Sequence, residues 1–433
     1  MSRFLRAIAI LVAAAASLAA QCPQGYSPQN GSCLQASTPL YVPQVPGSVV
    51  VSFFGNSASA AVNLFGGNAT AGCSSGAAAG SYWPTEGYFR SATLTTSATN
   101  GKSAMRGNID VDCSGNVNGS NGPSPGGVIV PPLASAGGFT SATDFYHVSP
   151  GSQSAFGWTV GNGSATAANV VAGAVEFVDA AGQAATILPM VGMTVTASTT
   201  KYGGPFGNCC GGGGELGQSM PFPIAGTISS LVACSDGTSP TNSETLTVDV
   251  SASPSSLTVT LPGGSAGRGC YVDSTHSIAV TAGQYLTWSA TAGSGTVSNF
   301  VWVAVKFVPA SGTSTIVGGS AYTAPTTTVN YSTVGSTADT NTLANAEVAM
   351  PISCLAANLY VTLTGSSATA DIFTLYKNGV ATALTGSLVS VSGAQAVDTT
   401  HTVSFAKGDL VTLAKSTASG TGAIPGGFAF SCN

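Results

Sequence analysis

Every histidine of the chain sits in one of three short phrases: Asp144 and His147 in DFYH, Asp273 and His276 in DSTH, and Asp398 and His401 in DTTH. An aspartate three residues before a histidine can ligate a metal, or form the base half of a Ser-His-Asp arrangement. It can also titrate near neutral pH as a contact between modules, or cap a turn while the histidine hydrogen-bonds at the start of the next strand. Catalysis needs in addition an elbow that presents a nucleophile, and no GxSxG follows a strand pattern. A reaction kept in three copies of one repeat would also be unusual. The phrase therefore reads as a turn that sets the register of a repeat.

Other groups invite chemistry and fall short of it. DVDCSGNVNGSN, starting at Asp110, places oxygens at alternate positions like part of a calcium loop, but Asn121 stands where the bidentate glutamate belongs. The sixteen acids offer no recognisable pair for glycoside hydrolysis. Trp83, Trp158 and Trp288 could stack on sugars, yet Trp158 and Trp288 keep register in the repeat, which marks them as core. Sequons occur at Asn30, Asn68, Asn118, Asn162 and Asn330 and matter only where asparagine is glycosylated. No cofactor and no metal is expected.

The phrases must be positioned by something, and they recur about every 127 residues, the size of a domain rather than of a solenoid unit. Around them the alignment extends without a gap from WTVGNGSATAANVVAGAVEFV to WSATAGSGTVSNFVWVAVKFV, placing Glu176 on Lys306 and Phe177 on Phe307. The third copy is looser, with Leu413 at the tryptophan position and FAF (residues 428–430) near the end. WPTEGYFRSATL, MPFPIAGTISSLVA and MPISCLAANLYVTL read as three versions of one opening strand. DAAGQAATILP and PASGTSTIVGG read as linkers. The expected organisation is a signal peptide over 1–20, an N-terminal arm over 21–45, and domains over 46–185, 186–312 and 313–433.

Residues 1–20 carry Arg3 and Arg6 ahead of an apolar run and end in small residues, the pattern of a secretory signal peptide. No later run is long and apolar enough to span a bilayer as a helix, so the mature chain is expected outside the cell or on its surface. Charged residues make up 6% of the chain, against about 25% in an ordinary soluble domain. Formal net charge is −5 and falls by two more once Arg3 and Arg6 are removed. So few basic groups exclude nucleic acid as a partner. The surface left is rich in Gly, Ser and Thr, with little of the charge that keeps sheet edges apart.

Alternation of apolar and polar residues over five to eight positions marks strands throughout, as in NLYVTLTG, ADIFTLYKNGVATAL, TGSLVSVSG and HTVSFAKGDLVTLAK. Asn-Gly in YKNGV marks a hairpin. Eight or so strands in about 125 residues make a two-sheet sandwich. The third copy, with its opening strand, the xLxKNG hairpin, VxFxxGDxVxL and a final GGFxF strand, resembles the jelly roll of complement globular heads and tumour-necrosis-factor-like domains. The resemblance implies three tandem jelly rolls of a kind that assembles or binds, commonly as trimers.

Ten cysteines suit an oxidising compartment. The resemblance implies a bridge from Cys354 to Cys432, since the strands carrying them are sheet neighbours in a jelly roll. Position suggests Cys22 with Cys33, Cys73 with Cys113 and Cys234 with Cys270. Adjacent Cys209 and Cys210 bridge each other only with strain, so another segment or subunit competes for them. Two functional classes follow. The first is a secreted structural protein that self-assembles into a filament, sheath or coat, its partners being copies of itself. The second is a secreted glycan-binding adhesin or lectin.

Overall fold

A computed structural model describes residues 26–29, 32–35, 47–53, 63–65, 81–97, 105–111, 128–130, 135–140, 146–148, 153–160, 170–195, 200–205, 215–235, 243–263, 270–292, 299–310, 312, 314–320, 324–335, 339–389, 393–418, 420, 422 and 425–433. The chain divides into two compact units, Met1–Val42 and Pro43–Asn433. In the smaller, β1 (Tyr26–Gln29) and β2 (Ser32–Gln35) form an antiparallel hairpin with Pro28 opposite Cys33.

The larger unit runs through three groups of strands. The first is β3 (Ser48–Phe53), β4 (Asn63–Phe65), β5 (Ser81–Tyr82), β6 (Gly87–Thr96), β7 (Met105–Val111), β8 (Val128–Val130), β9 (Gly137–Thr140), β10 (Tyr146–Val148), β11 (Gln153–Val160) and β12 (Val170–Asp179). The second is β13 (Thr186–Val195), β14 (Thr200–Gly203), β15 (Met220–Pro221), β16 (Gly226–Ser235), β17 (Glu244–Val250), β18 (Ser253–Leu261), β19 (Cys270–Val280), β20 (Tyr285–Ala292) and β21 (Asn299–Pro309). The third is β22 (Thr315–Ser320), β23 (Asn330–Ser332), β24 (Asp339–Thr340), β25 (Val348–Ala349), β26 (Cys354–Leu363), β27 (Ala370–Lys377), β28 (Val380–Val389), β29 (Gln395–Phe405), β30 (Leu410–Thr417) and β31 (Pro425–Cys432).

Each group makes two antiparallel sheets. In the second they are β13-β21-β16-β19 and β14-β20-β17-β18, with β15 added on β20. The third gives β22-β31-β26-β29 and β23-β30-β27-β28, with β25 on β30 and β24 on β23. The first gives β3-β12-β6-β10 and β4-β11-β7-β8, with β5 on β11 and β9 also on β6. Leaving out the short additions, every group reads 1-8-3-6 in one sheet and 2-7-4-5 in the other. That order of eight strands is the jelly roll.

Two expectations about the strands are corrected. The segments read as opening strands run along β6, β16 and β26, the third long strand of each group. The true first strands, β13 and β22, begin inside the stretches read as linkers, at Thr186 and Thr315. The alternation there is hidden because these strands are buried on both faces, so TIVGGS is buried along its whole length. TGSLVSVSG likewise continues β28 rather than starting a strand of its own.

The sandwiches fill with apolar side chains from alternate positions, and the fillings do not stop at module borders. Ile316 and Ala429 of the third module join the core around Trp288 and Phe307 of the second. Val49, Ala172 and Ala174 of the first join the core around Phe373 and Phe428 of the third. The short strand ahead of long strand 3 packs on the last strand of the following module: β5 on β21, β15 on β31, and β25 back on β12. Contacts that run head to tail and return to the start form a closed ring. The three modules of one chain thus contact each other.

Polar atoms seal the ring. Ile187 N donates to Ser48 Oγ at 2.9 Å, and Ile316 N to Thr186 Oγ1 at 2.8 Å, so the residues opening the first and second modules each cap the module that follows. Thr315, the third of these openers, keeps a buried Oγ1 without a partner. Between the third and first modules, Ser91 Oγ donates to Pro351 O, Thr93 Oγ1 to Ala349 O, and Ala349 N to Thr95 Oγ1. Between the first and second, Lys306 Nζ meets Asp179 Oδ2 at 2.7 Å. Lys306 holds the strand position that Glu176 holds one module earlier, where Glu176 instead pairs with Arg90 of its own module.

Candidate functional site

The Asp-x-x-His phrases of the second and third modules lie on long strand 6, at a shared irregularity. Along β16 and β19, Ser229 faces Ser277 and Leu231 faces Asp273, so a single residue, Ser230, stands opposite three. Along β26 and β29, Ala357 faces Thr402 and Leu359 faces Asp398, with Asn358 between. Ser230 and Asn358 both have φ of 55°, the left-handed twist that a bulge demands.

The aspartate holds the three-residue excursion together. Asp273 Oδ1 accepts from Thr275 N, Thr275 Oγ1 and His276 N at 3.0, 2.9 and 3.2 Å. Its Oδ2 accepts from His276 Nδ1 at 2.8 Å and from Thr258 N at 3.2 Å. Asp398 repeats the set: Thr400 N, Thr400 Oγ1 and His401 N on Oδ1, His401 Nδ1 at 2.9 Å and Thr385 N at 2.8 Å on Oδ2. Thr258 and Thr385 belong to long strand 5 in the opposite sheet. Each carboxylate therefore ties the two sheets together and occupies an edge-strand N–H that would otherwise be open to pairing.

Burial alone would raise these carboxyl groups. For Asp273 the bonds from His276 and Thr275 outweigh it, and for Asp398 those from Thr400, Thr385 and His401 do so, holding both well below the ordinary carboxylate range. An ionised carboxylate only accepts, so Nδ1 donates and Nε2 faces outward on a ring about half exposed. That is a fixed imidazole of the kind that can serve as a base or a ligand. No group of three or more His, Cys, Asp or Glu side chains surrounds it among the described residues.

The first phrase does not match the other two in register. His147 pairs with Tyr88, the position where Thr227 meets Ala279 and Leu355 meets Ser404. Thr93 pairs with Thr140 as Val232 pairs with Val272. Counting from both sides, the positions of Asp273 and His276 fall on Ser141 and Asp144. The aligned phrase is SATD, with Thr143 at the place of Thr275 and Thr400, and DFYH stands three residues out of step. Asp144 itself lies outside the described residues.

The remaining candidates separate. Cys234 and Cys270 face each other across β16 and β19 and are bonded. Cys354 and Cys432 are bonded across β26 and β31. Cys22, Cys73, Cys113, Cys209 and Cys210 lie outside the described residues, as does the side chain of Cys33. Trp83 and Trp288 are core, Trp83 stacking on Phe177 at 4.8 Å; the side chain of Trp158 is not described. Asn330 is half-buried in β23, its amide directed at Thr326 and Thr328. Asn30, Asn68, Asn118 and Asn162 lie outside the described residues, and so does most of the calcium-like run after Val111.

Sequence reading missed the buried charges. Glu244 is fully buried with neither oxygen bonded, and burial raises its carboxyl to about 7. Lys415, also fully buried, pairs with Asp339 at 2.6 Å. Both sit at core-facing positions that apolar residues otherwise hold along β17 and β30, a departure from alternation visible in the sequence.

No family model and no curated protein matches the chain. A solved structure described with the words "The Triple Jelly Roll Fold and Turret Assembly in an Archaeal Virus" is similar over 95% of this chain and 88% of its own, at 10% identity and a TM-score of 0.21. At that score the likeness carries no argument, and the strand order stands by itself. Among the described residues no helix is long and apolar enough to cross a membrane.

Proposed function

We propose that this is an exported structural protein, not an enzyme, that self-assembles into an extracellular filament, sheath or coat, each chain contributing a ready-made ring of three jelly rolls. The ring carries the reading. It does within one chain what complement-head and tumour-necrosis-factor-like jelly rolls do with three, and the Asp-x-x-His carboxylates brace the individual sandwiches. Asp273 and Asp398 are saturated by local donors, and the described tryptophans fill cores rather than offering platforms to sugars.

The outward faces differ between modules in a way that suits association. Among the described residues, Val272, Leu355, Ile372, Val380, Val389 and Val397 are the exposed large apolar ones, and all but Val272 belong to the third module. Leu355, Ile372 and Val380 occupy strand positions held by Thr227, Thr245 and Ser253 in the second. Sedimentation velocity and negative-stain imaging of the secreted protein test the proposal. Concentration-dependent polymers that dissolve when Leu355, Ile372 and Val389 are changed to threonine support it. A species that stays monomeric at millimolar concentration overturns it.

A further inference from the structure

We infer that Asp249 and Glu215 form a proton-operated latch on the strap, residues 215–221, that joins the second module to the third. Alternation along β17 puts Leu246, Val248 and Val250 in the core and Asp249 on the opposite face, where Thr245 and Thr247 are partly exposed. Asp249 is nevertheless only 2% exposed, and its Oδ1 has no hydrogen-bond partner.

The strap lies over this end of the sheet. Glu215 Oε1 accepts from Thr287 Oγ1 at 2.9 Å, and Thr287 is the residue paired with Asp249 across β17 and β20. From Glu215 the strap passes through a 3-10 turn, Leu216–Gln218, to Met220 and Pro221, which pair with Leu286 and Tyr285. Its other side is pressed on the third module. A Cβ built on Gly426 would stand 2.4 Å from Leu216 O, and one on Gly427 2.4 Å from Ser219 O, so the glycines of β31 allow a backbone-to-backbone fit.

A buried carboxyl on the sheet and a second on the strap are thus brought to either side of Thr287, where the strap holds two modules together. The groups facing Asp249 are Glu215 on the strap, Tyr285, Thr287 and Ser289 on β20, and Tyr202 opposite Ser289; Lys201 stands one position away, opposite Ala290. Burial, opposed by the Ser289 bond and reinforced by Glu215, raises Asp249 to about 6. Below that pH a proton removes the repulsion. Above it, the buried carboxylate of Asp249 faces the charge of Glu215, and lifting the strap relieves both the burial and the repulsion. A raised carboxyl favours the closed form at low pH and loses that advantage as pH climbs from the ordinary aspartate value to about 6. The latch closes in acid and loosens toward neutrality, whether or not chains polymerise.

Hydrogen exchange on the full chain, corrected for intrinsic rates, tests this at residues 215–221 and 425–432. Opening of the strap is expected to rise on the order of 100-fold from pH 4 to pH 8. Asp249→Asn should remove most of that rise. Glu215→Gln keeps an acceptor for Thr287 and should reduce it in part, and this variant decides the matter if Asp249→Asn fails to fold. Measuring both in a Glu244→Gln background removes the other carboxyl of the module that burial raises. Equal strap protection at the two pH values, or an undiminished rise in both variants, overturns the latch.

Discussion

Gly226 lies so close to Phe307 that a Cβ built on it would stand 2.4 Å from the ring. Gly87 and Phe177 repeat the arrangement in the first module at 2.2 Å. In the third, strand register places Cys354 at the glycine position and Cys432 at the phenylalanine position, and the two are bonded. One site between long strands 3 and 8 is thus closed by a ring over a glycine twice and by a disulfide once. Gly226→Ala should cost roughly 1–3 kcal/mol, because ring and strand must separate in a packed core. Replacing Cys354 and Cys432 together by alanine should cost roughly 2–4 kcal/mol. Thermal unfolding of the purified variants measures both.

Asp398 is the second target. Asp398→Asn keeps the shape but loses the charge that five donor groups converge upon, and is expected to destabilise by roughly 1–3 kcal/mol at pH 7. The wild-type carboxyl is depressed, so its contribution is present above the ordinary aspartate value and disappears as pH falls below it. The gap between variant and wild type should therefore narrow in acid. Denaturant titrations at pH 7 and pH 3 check the sign; a gap that widens in acid would refute the assigned role.

Fold class was legible because alternation and turn residues are local signals. Asn378 and Gly379 adopt φ of 50° and 77° and join β27 to β28, as their side chains dictate. The same turn in the second module is made by Ser251 and Ala252 at 50° and 62°, residues that announce nothing of the kind. DFYH misleads for a related reason: an identical spacing of Asp and His suggests register, whereas the strand pairing that fixes register is not local. The covered carboxyl of Asp249 was invisible because its position on the strand is a solvent one, and its burial comes from tertiary packing.

That turn supplies a third test. Left-handed backbone costs about 1–2 kcal/mol at an ordinary residue and little at Asn or Gly. Replacing Ser251 and Ala252 by Asn and Gly should stabilise the second module by about 1 kcal/mol without changing strand register. A lower melting temperature would contradict the turn assignment.

Glu244 makes a fourth. Its carboxyl is raised to about 7 by burial, so the folded form holds a proton that the unfolded form releases near 4.5. Stability of the second module should fall as pH rises between those values, by up to roughly 3 kcal/mol, then level off. Glu244→Gln should flatten that slope. Urea midpoints from pH 4 to pH 8 give the comparison, and parallel slopes in both proteins would exclude Glu244 as the cause.

Lys306 and Asp179 connect the ring to chemistry that repeat analysis cannot reach. Positions 176 and 306 are equivalent in the strands, yet one carries an acid satisfied by Arg90 within its module and the other a base that crosses to the preceding module. Asp179 is almost wholly buried and also accepts from Thr85 Oγ1 at 3.2 Å, so losing the ammonium leaves a covered carboxylate with one neutral donor among its described bonds. Lys306→Met is expected to cost roughly 3–5 kcal/mol, whereas Lys306→Met combined with Asp179→Leu should recover much of the loss, because removing both charges leaves nothing buried and unpaired. The non-additivity is the diagnostic. Limited proteolysis between the first and second modules should accelerate in the single variant and slow again in the double, and equal cleavage in all three proteins would show that the pair does not hold these modules together.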